Sequence, residues 1–353
     1  MKKNKEISIT AAVLFENKKN LKIIKNIKIP ILEKGQVLVK IAYTSICHSQ
    51  LMEIDGLRGK DKYLPHMLGH EGCGEVIKIG KGVKKVKEND WVIIGWIKGK
   101  GINAKGAKYK KNNYNINSGP VTTFSTYSII SENRLVKMPK NIRKKDASLY
   151  GCAIPTGLGM ILNQTSNRKN KNIGIIGLGG IGIFSLIAAK YCKFKSIIVI
   201  DKDEKKLKLA KMFGADLAVV ANKKNIKKHI YNFLHEKNLD YCIDTAGKVE
   251  TIEKSFELIN YKGSCVFCSH PQANKKIKLD PFELIKGKKI IGSWGGNTNP
   301  DKDIKKYAKV LANMKKDFKK IFQKEYSLED INLAIKEFKM GKVLRPIIKI
   351  SDK

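Results

Sequence analysis

Two cysteines and a histidine carry the first chemical signal in this chain. They stand in the phrases Cys47-His48-Ser49, Gly69-His70-Glu71 and Gly151-Cys152-Ala153. Two thiolates and an imidazole form a donor set that zinc accepts, and three protein ligands instead of four leave one position for water or a substrate oxygen. The same residues have a plainer use, because free cysteine packs as a small hydrophobe and a histidine can be satisfied within a core. Their scattered spacing differs from a compact finger pattern, so spacing alone leaves both readings open.

Downstream lies Gly177-Leu178-Gly179-Gly180-Ile181-Gly182, preceded by the apolar run Asn172-Ile173-Gly174-Ile175-Ile176 and followed by Ile183 to Lys190. Strand, glycine turn and helix in that order are the parts of a dinucleotide-binding βαβ unit. Gly177 permits the tight turn, Gly179 lets backbone approach a pyrophosphate, and Gly182 lets helix and strand pack closely, with the helix N-terminus facing the anion. A second strand, Ser196 to Ile200, delivers Asp201 nineteen residues after Gly182. A carboxylate there accepts from the adenosine ribose hydroxyls and repels a 2′-phosphate, which favours NAD over NADP. The stretch from Ile173 to Ala189 approaches the roughly 17-residue lower limit of a membrane span, but glycines at turn spacing favour the βαβ reading.

The chain has 353 residues, about two ordinary domains by size, and its hydrophobic fraction of 42% is enough for packed cores. Seven cysteines without a repeating spacing form no disulfide framework. Reduced thiols fit the cytosol, and the basic start Met1 to Glu6 has no apolar core behind it, so a soluble cytoplasmic protein is expected. The formal net charge is +38. Its lysines are spread over the whole chain, arginine is rare and no nucleic-acid motif accompanies them, so no dedicated nucleic-acid partner is expected.

These residues need positioning elements of two kinds. The first half alternates, as in Gln36 to Tyr43, Gly74 to Gly80 and the turn and strand Val86 to Ile94, which predicts a β-rich part. From about Ile173 strands and helices alternate, with further strands at Leu239 to Asp244 and Ser264 to Cys268, which predicts a parallel sheet with helices on both faces. The tail returns to helix and strand, with an amphipathic helix over Leu328 to Met340.

With these motifs in place, the chain resembles the zinc-dependent alcohol dehydrogenases of the medium-chain dehydrogenase/reductase superfamily over nearly its full length. The resemblance implies an α/β protein, a GroES-like β-rich catalytic domain with an inserted Rossmann doubly wound parallel sheet. Residues 1–153 plus 295–353 would form the first part and 154–294 the second, with the active site in the cleft between them. It implies Cys47, His70 and Cys152 as ligands of one catalytic zinc, with Glu71 as the neighbouring carboxylate. It makes Ser49 the acceptor of the substrate's proton and places His48 and Arg345 at the cofactor pyrophosphate. Thr156 and Ile181 would pack around the nicotinamide, Lys206 would reach the adenosine ribose, and Trp96 would wall the substrate pocket.

Departures from the family pattern bear on what the site can do. The segment from Trp96 to Tyr114 has no cysteine, so the second, structural zinc of many relatives is not expected. Gln50 stands where many relatives use Asp to orient the zinc-ligating histidine, and Met52 where some carry a proton-relaying histidine. The loop Gly56 to Leu64 can present Arg58 and Lys60 to an anionic substrate or lie solvated.

The implied activity is hydride transfer between an alcohol, or its aldehyde or ketone, and NAD. Alternatives are a zinc-free quinone-reductase-like member of the superfamily and a non-catalytic nucleotide-binding protein. The apolar run Lys289 to Trp294 matches the place where relatives continue their sheet across a two-fold axis, so a homodimer is expected.

Overall fold

The computed structural model describes residues 7–222, 225–312, 321 and 324–351. The basic segment Met1 to Glu6 lies outside the described residues. The chain divides into two units, one of residues 1–152 and 299–353 and the other of 153–298.

The first unit is built around strand Gln36–Ser45, most of whose residues are buried. Val37, Val39 and Ile41 enter one apolar cluster with Val76, Val92, Ile94 and Leu135. Leu38 points to the opposite face, where Ile9, Val13, Ile27, Met67, Tyr109 and Ile116 form another. That division is the period-two alternation of a strand covered on both faces. One edge of the strand pairs antiparallel with Glu71–Ile79. The other edge is shared: Gln36 to Lys40 pair with Tyr127–Ser131, and Tyr43 to Ser45 with the C-terminal strand Ile347–Lys349. Among the described residues, a closed barrel of Ser8–Leu14, Lys22–Lys28, Lys108–Lys111, Tyr114–Asn117 and His66–Met67 completes the β-rich part.

Helix His48–Ile54 leaves the end of the central strand. Its Leu51 and Ile54 are buried among Leu14, Leu68, Phe124, Ile331 and Ile335. Each such side chain contributes about 1.5–3 kcal/mol relative to exposure. The C-terminal helix Ile331–Lys339 supplies the opposite wall of that cluster.

The second unit carries a parallel sheet of six strands among the described residues. Their order is Leu217–Val220, Ser196–Asp201, Asn172–Ile176, Leu239–Asp244, Ile259–Phe267 and Lys289–Gly292. Asn172–Ile176 is buried at every position, as expected of a central strand with both faces covered. Residues 153 and 295–298, assigned from sequence to the catalytic part, belong to this unit. A Cβ on Gly159 would come within 2.3 Å of Gly296 O, and Asn163 Nδ2 donates to Gly296 O at 3.1 Å, so the turn Gly295–Asn297 is packed on helix Ala153–Leu162.

Candidate functional site

The first unit gathers Cys47, His70 and Cys152. Cys47 is the extended residue that caps helix His48–Ile54. His70 immediately precedes strand Glu71–Ile79, and Cys152 ends the short turn Ser148–Gly151. Gly151 makes that approach possible, because a Cβ there would lie 2.1 Å from Ile94 O and 2.8 Å from Glu71 Cβ. The two sulfurs are 3.9 Å apart, and the three donor atoms all lie within 4.8 Å of one another.

This donor set fits zinc on two observations. Zn–S bonds of about 2.3 Å in a tetrahedron set their sulfurs about 3.8 Å apart. His70 Nε2 is buried without a hydrogen-bond partner, and leaving a buried polar atom unsatisfied costs about 1–3 kcal/mol.

The electrostatics of the cluster favour a thiolate. Its hydrogen bond with Cys152 holds the Cys47 thiol well below its usual range against the opposing effect of burial, and the charge of Arg345 adds to the lowering. The same bond raises Cys152, and burial adds to the raising. Burial alone would lower His70, but the nearness and charge of Cys47 raise it. Glu71 is raised by burial, with Arg345 opposing.

Glu71 and Arg345 form an ion pair through Oε1 and Nη2, with side chains 0% and 3% exposed. Arg345, expected from the sequence at the pyrophosphate, is thus placed beside Cys47, with part of its guanidinium engaged by Glu71. The carbonyl of Glu71 accepts from Thr44 Oγ1 at 2.7 Å and Thr123 Oγ1 at 3.1 Å.

Ser49 is half-buried on the helix that starts after Cys47, and the exposed His48 sets its ring edge-on to Phe338 with centroids 6.3 Å apart. Trp96 is half-buried just beyond strand Trp91–Gly95, and its carbonyl accepts from Arg134. Gln50, which stands where many relatives use Asp, has its Oε1 accepting from the backbone N–H of Gly69 and its Nε2 donating to Glu53 Oε2 at 3.1 Å.

A second group, Glu53, Asp61 and His66, also has the donor types of a metal site. Its members have protein partners: His66 Nε2 lies 2.8 Å from Asp61 Oδ2, Tyr63 N donates to Asp61 Oδ1 at 2.9 Å, and Arg58 lies 3.8 Å from Glu53. The guanidinium adds positive charge, and the group is a hydrogen-bonded brace. Glu53, on the preceding helix His48–Ile54, thus gives Arg58 a partner.

In the second unit the glycines of the loop have distinct steric reasons. Gly177 has φ +88°, and a Cβ there would meet Ala246 N at 2.9 Å. A Cβ on Gly182 would lie 1.9 Å from Gly177 O, so close packing of helix Gly180–Tyr191 on the turn excludes any side chain. A Cβ on Gly179 would meet nothing within 4 Å, which leaves open space beside the helix N-terminus for an anion.

Asp201 ends its strand with a buried carboxylate whose Oδ2 accepts from Leu178 N at 2.5 Å and whose Oδ1 accepts from Asp203 N at 2.9 Å. It therefore shapes the glycine turn as well as standing at the strand end. Sequence reading did not anticipate this bond, since nothing in residue spacing encodes a side chain closing back on a turn. Thr156 is buried on helix Ala153–Leu162 and Ile181 half-buried at the start of the next helix. The two helices pack at Gly157, where a Cβ would come 2.6 Å from Ile181 O. Lys206 is half-buried on helix Glu204–Met212.

Comparison with known proteins agrees with both units. Residues 33–140 match the model of the alcohol dehydrogenase GroES-like domain, and residues 180–315 that of the zinc-binding dehydrogenase family. The S-(hydroxymethyl)glutathione dehydrogenase of Escherichia coli O1:K1 is 27% identical over 372 residues, covering 96% of this chain and 99% of its own. Alcohol dehydrogenase-like 3 of Arabidopsis thaliana is 27% identical over 386 residues, covering 98% and 97%. The crystal structure of benzyl alcohol dehydrogenase from Acinetobacter calcoaceticus superposes with a TM-score of 0.88 at 26% identity, covering 98% of this chain and 100% of that one. With two family models that follow one another along the sequence, relatives matched end to end and a donor set suited to the metal in the family's name, this chain belongs to the zinc-dependent alcohol dehydrogenases of the medium-chain dehydrogenase/reductase superfamily.

Proposed function

We propose that this oxidoreductase interconverts an alcohol and its aldehyde or ketone at a single zinc held by Cys47, His70 and Cys152, with NAD(H) as the hydride carrier. The observation that carries the site assignment is the three-donor cluster with its buried, partnerless His70 Nε2. When bound there, zinc supplies a Lewis acid that makes a substrate hydroxyl more acidic.

The remaining roles fall to the chain's own side chains. Ser49 Oγ would take the substrate's hydroxyl proton while passing its own on toward solvent, and bound NAD⁺ would supply the acceptor for the hydride that the carbinol carbon loses. Glu71, tied to Arg345, keeps a negative charge beside the ligands and holds the returning C-terminal segment against them. Arg345 remains a candidate phosphate contact through the donors that Glu71 does not use, and His48 is the second.

Gly177, Gly179, Gly180 and Gly182 shape the diphosphate turn, Thr156 and Ile181 present an apolar and hydroxyl surface to the nicotinamide, and Trp96 bounds the substrate. Asp201, with Lys206 on the following helix, receives the adenosine ribose. The carboxylate favours NAD(H), because a 2′-phosphate placed against it is repelled.

The cysteine-free segment after Trp96 supports one zinc per chain. No helix among the described residues is long and apolar enough to cross a membrane. None of the described cysteines forms a disulfide, which suits a reducing compartment, and the cytoplasm is the proposed place of action. Association as a homodimer is proposed through the edge strand Lys289–Gly292.

Elemental analysis of purified protein, paired with a screen of primary, secondary, polyol and thiol-adduct alcohols followed at the NADH absorbance, tests the reading. One zinc per chain with turnover of at least one class is the expected result. Turnover without metal would favour the zinc-free quinone-reductase-like chemistry, and bound zinc without turnover of any class would favour a nucleotide-binding protein.

A further inference from the structure

Gln50 is 4% exposed and sits one helical turn after Cys47, with its backbone N–H on Cys47 O at 3.0 Å. Its side chain reaches across to the other ligand segment, where Oε1 accepts from Gly69 N, the peptide group just before His70. Gly69 needs its left-handed backbone, φ +91°, and a Cβ there would lie 2.3 Å from Thr123 Oγ1 and 2.7 Å from Phe124 Cδ1. The segment is thus pressed against Thr123 and Phe124 on one side and gripped by Gln50 on another.

The peptide beyond His70 is also fixed, through the two threonine hydroxyls on Glu71 O. His70 therefore stands between two anchored peptide groups. The Gln50 anchor is the one that runs directly to the helix carrying Cys47.

An amide can present either its oxygen or its nitrogen, and only the oxygen serves Gly69 N–H. Glu53 settles the choice, since its Oε2 accepts from Gln50 Nε2 at 3.1 Å. Arg58 Nη1, at 3.8 Å, and Asn17 Nδ2, which donates to Glu53 O at 3.0 Å, hold that residue in turn.

We infer that Gln50 is a positioning residue that sets the spacing between the metal ligands Cys47 and His70 by gripping the Gly69 peptide, with Glu53 fixing the orientation of its amide. The inference rests on the zinc reading above and adds a residue whose own contact is to backbone, not to the metal or to the imidazole ring. Outer-shell partners of metal ligands typically change affinity by about 10–100-fold when removed.

The test measures zinc release to a chromophoric chelator and hydrogen exchange at the Gly69 amide in the full-length protein. Gln50→Met, similar in length but unable to hydrogen-bond, is expected to release zinc at least about 10-fold faster and to lose protection at Gly69. Gln50→Glu keeps an acceptor for Gly69 and is expected to recover part of that protection, although its carboxylate faces Glu53. Glu53→Leu, which frees the amide to turn, is expected to accelerate release in the same direction and serves if Gln50→Met does not fold.

Steady-state kinetics give a separate readout: a mispositioned ligand lowers kcat more than it alters KM for NAD. Zinc release and Gly69 exchange at wild-type rates in Gln50→Met, or in Glu53→Leu should the first not fold, would overturn the inference while leaving the zinc reading intact. Wild-type protein that takes up no zinc would sink that reading and this one with it.

Discussion

Cys152 reaches the cluster only because Gly151 lets its turn close on Ile94 and Glu71. Cys152→Ala is expected to lose zinc and activity by more than the roughly 10–100-fold that outer-shell changes cost, while its far-ultraviolet circular dichroism stays like that of the parent. Elemental analysis and an alcohol oxidation assay check this, and a variant that keeps one zinc per chain would refute the ligand assignment. Asp201→Ser carries two expected effects because the carboxylate has two tasks. Removing its charge should shift preference toward NADP(H) by at least about tenfold, equivalent to roughly 1.4 kcal/mol of relieved repulsion. Loss of the bonds from Leu178 N and Asp203 N should also weaken NAD(H) binding. The ratio of kcat/KM with the two cofactors checks the first effect, and NAD(H) titration the second.

The segment after Trp96 is tied down by a buried carboxylate. Glu132 is 2% exposed and accepts from Lys84 N at 2.6 Å, Lys85 N at 2.8 Å and Ile102 N at 2.7 Å. Burial pushes its carboxyl up, but these amides, Ile102 first, outweigh it and leave the carboxyl below its ordinary value. A depressed carboxylate stabilises the fold fully above its unfolded pKa, near 4.5, and that contribution is lost as pH falls through the folded value. Glu132→Gln is therefore expected to cost about 1.5–3 kcal/mol at pH 7, the range for hydrogen bonds to a charged group. The gap between variant and parent should narrow as pH falls below the unfolded value of 4.5 and close once pH is beneath the depressed folded one. Urea unfolding at neutral and acid pH measures it, and a gap that widened in acid would reverse the sign of the explanation.

At the scale of the whole molecule the open question is association. Strand Lys289–Gly292 pairs with Ile259–Phe267, the strand next to it in sheet order, and ends the sheet there among the described residues. Close by in sequence, Ile285 is 79% and Trp294 80% exposed. An unpaired edge with apolar neighbours is a liability that a two-fold copy of itself would cover. Light scattering in moderate salt, chosen to screen a net charge of +38, is expected to give about twice the chain mass of 39.7 kDa. Ile291→Lys should shift it toward one chain mass. A wild-type monomer would contradict the proposal.

Much of this was legible in the chain itself. Period-two alternation around Gln36 and the strand, glycine and helix order around Gly177 are local signals, set by backbone geometry within a dozen residues, and they identified both kinds of element. The ligand residue types were visible as well, and the family resemblance marked which of them to group. What residue order could not give was contact between distant segments. Cys47 and Cys152 meet because separate strands and a glycine turn converge, and the Arg345–Glu71 pair forms because the last strand joins the edge beside Ser45. The grip of Gln50 on Gly69, the closure of Asp201 on Leu178 and the anchoring of Ile102 by Glu132 are likewise tertiary. Each depends on where a polar side chain is buried and which backbone group lies within about 3 Å of it, which is decided only when the sheets pack.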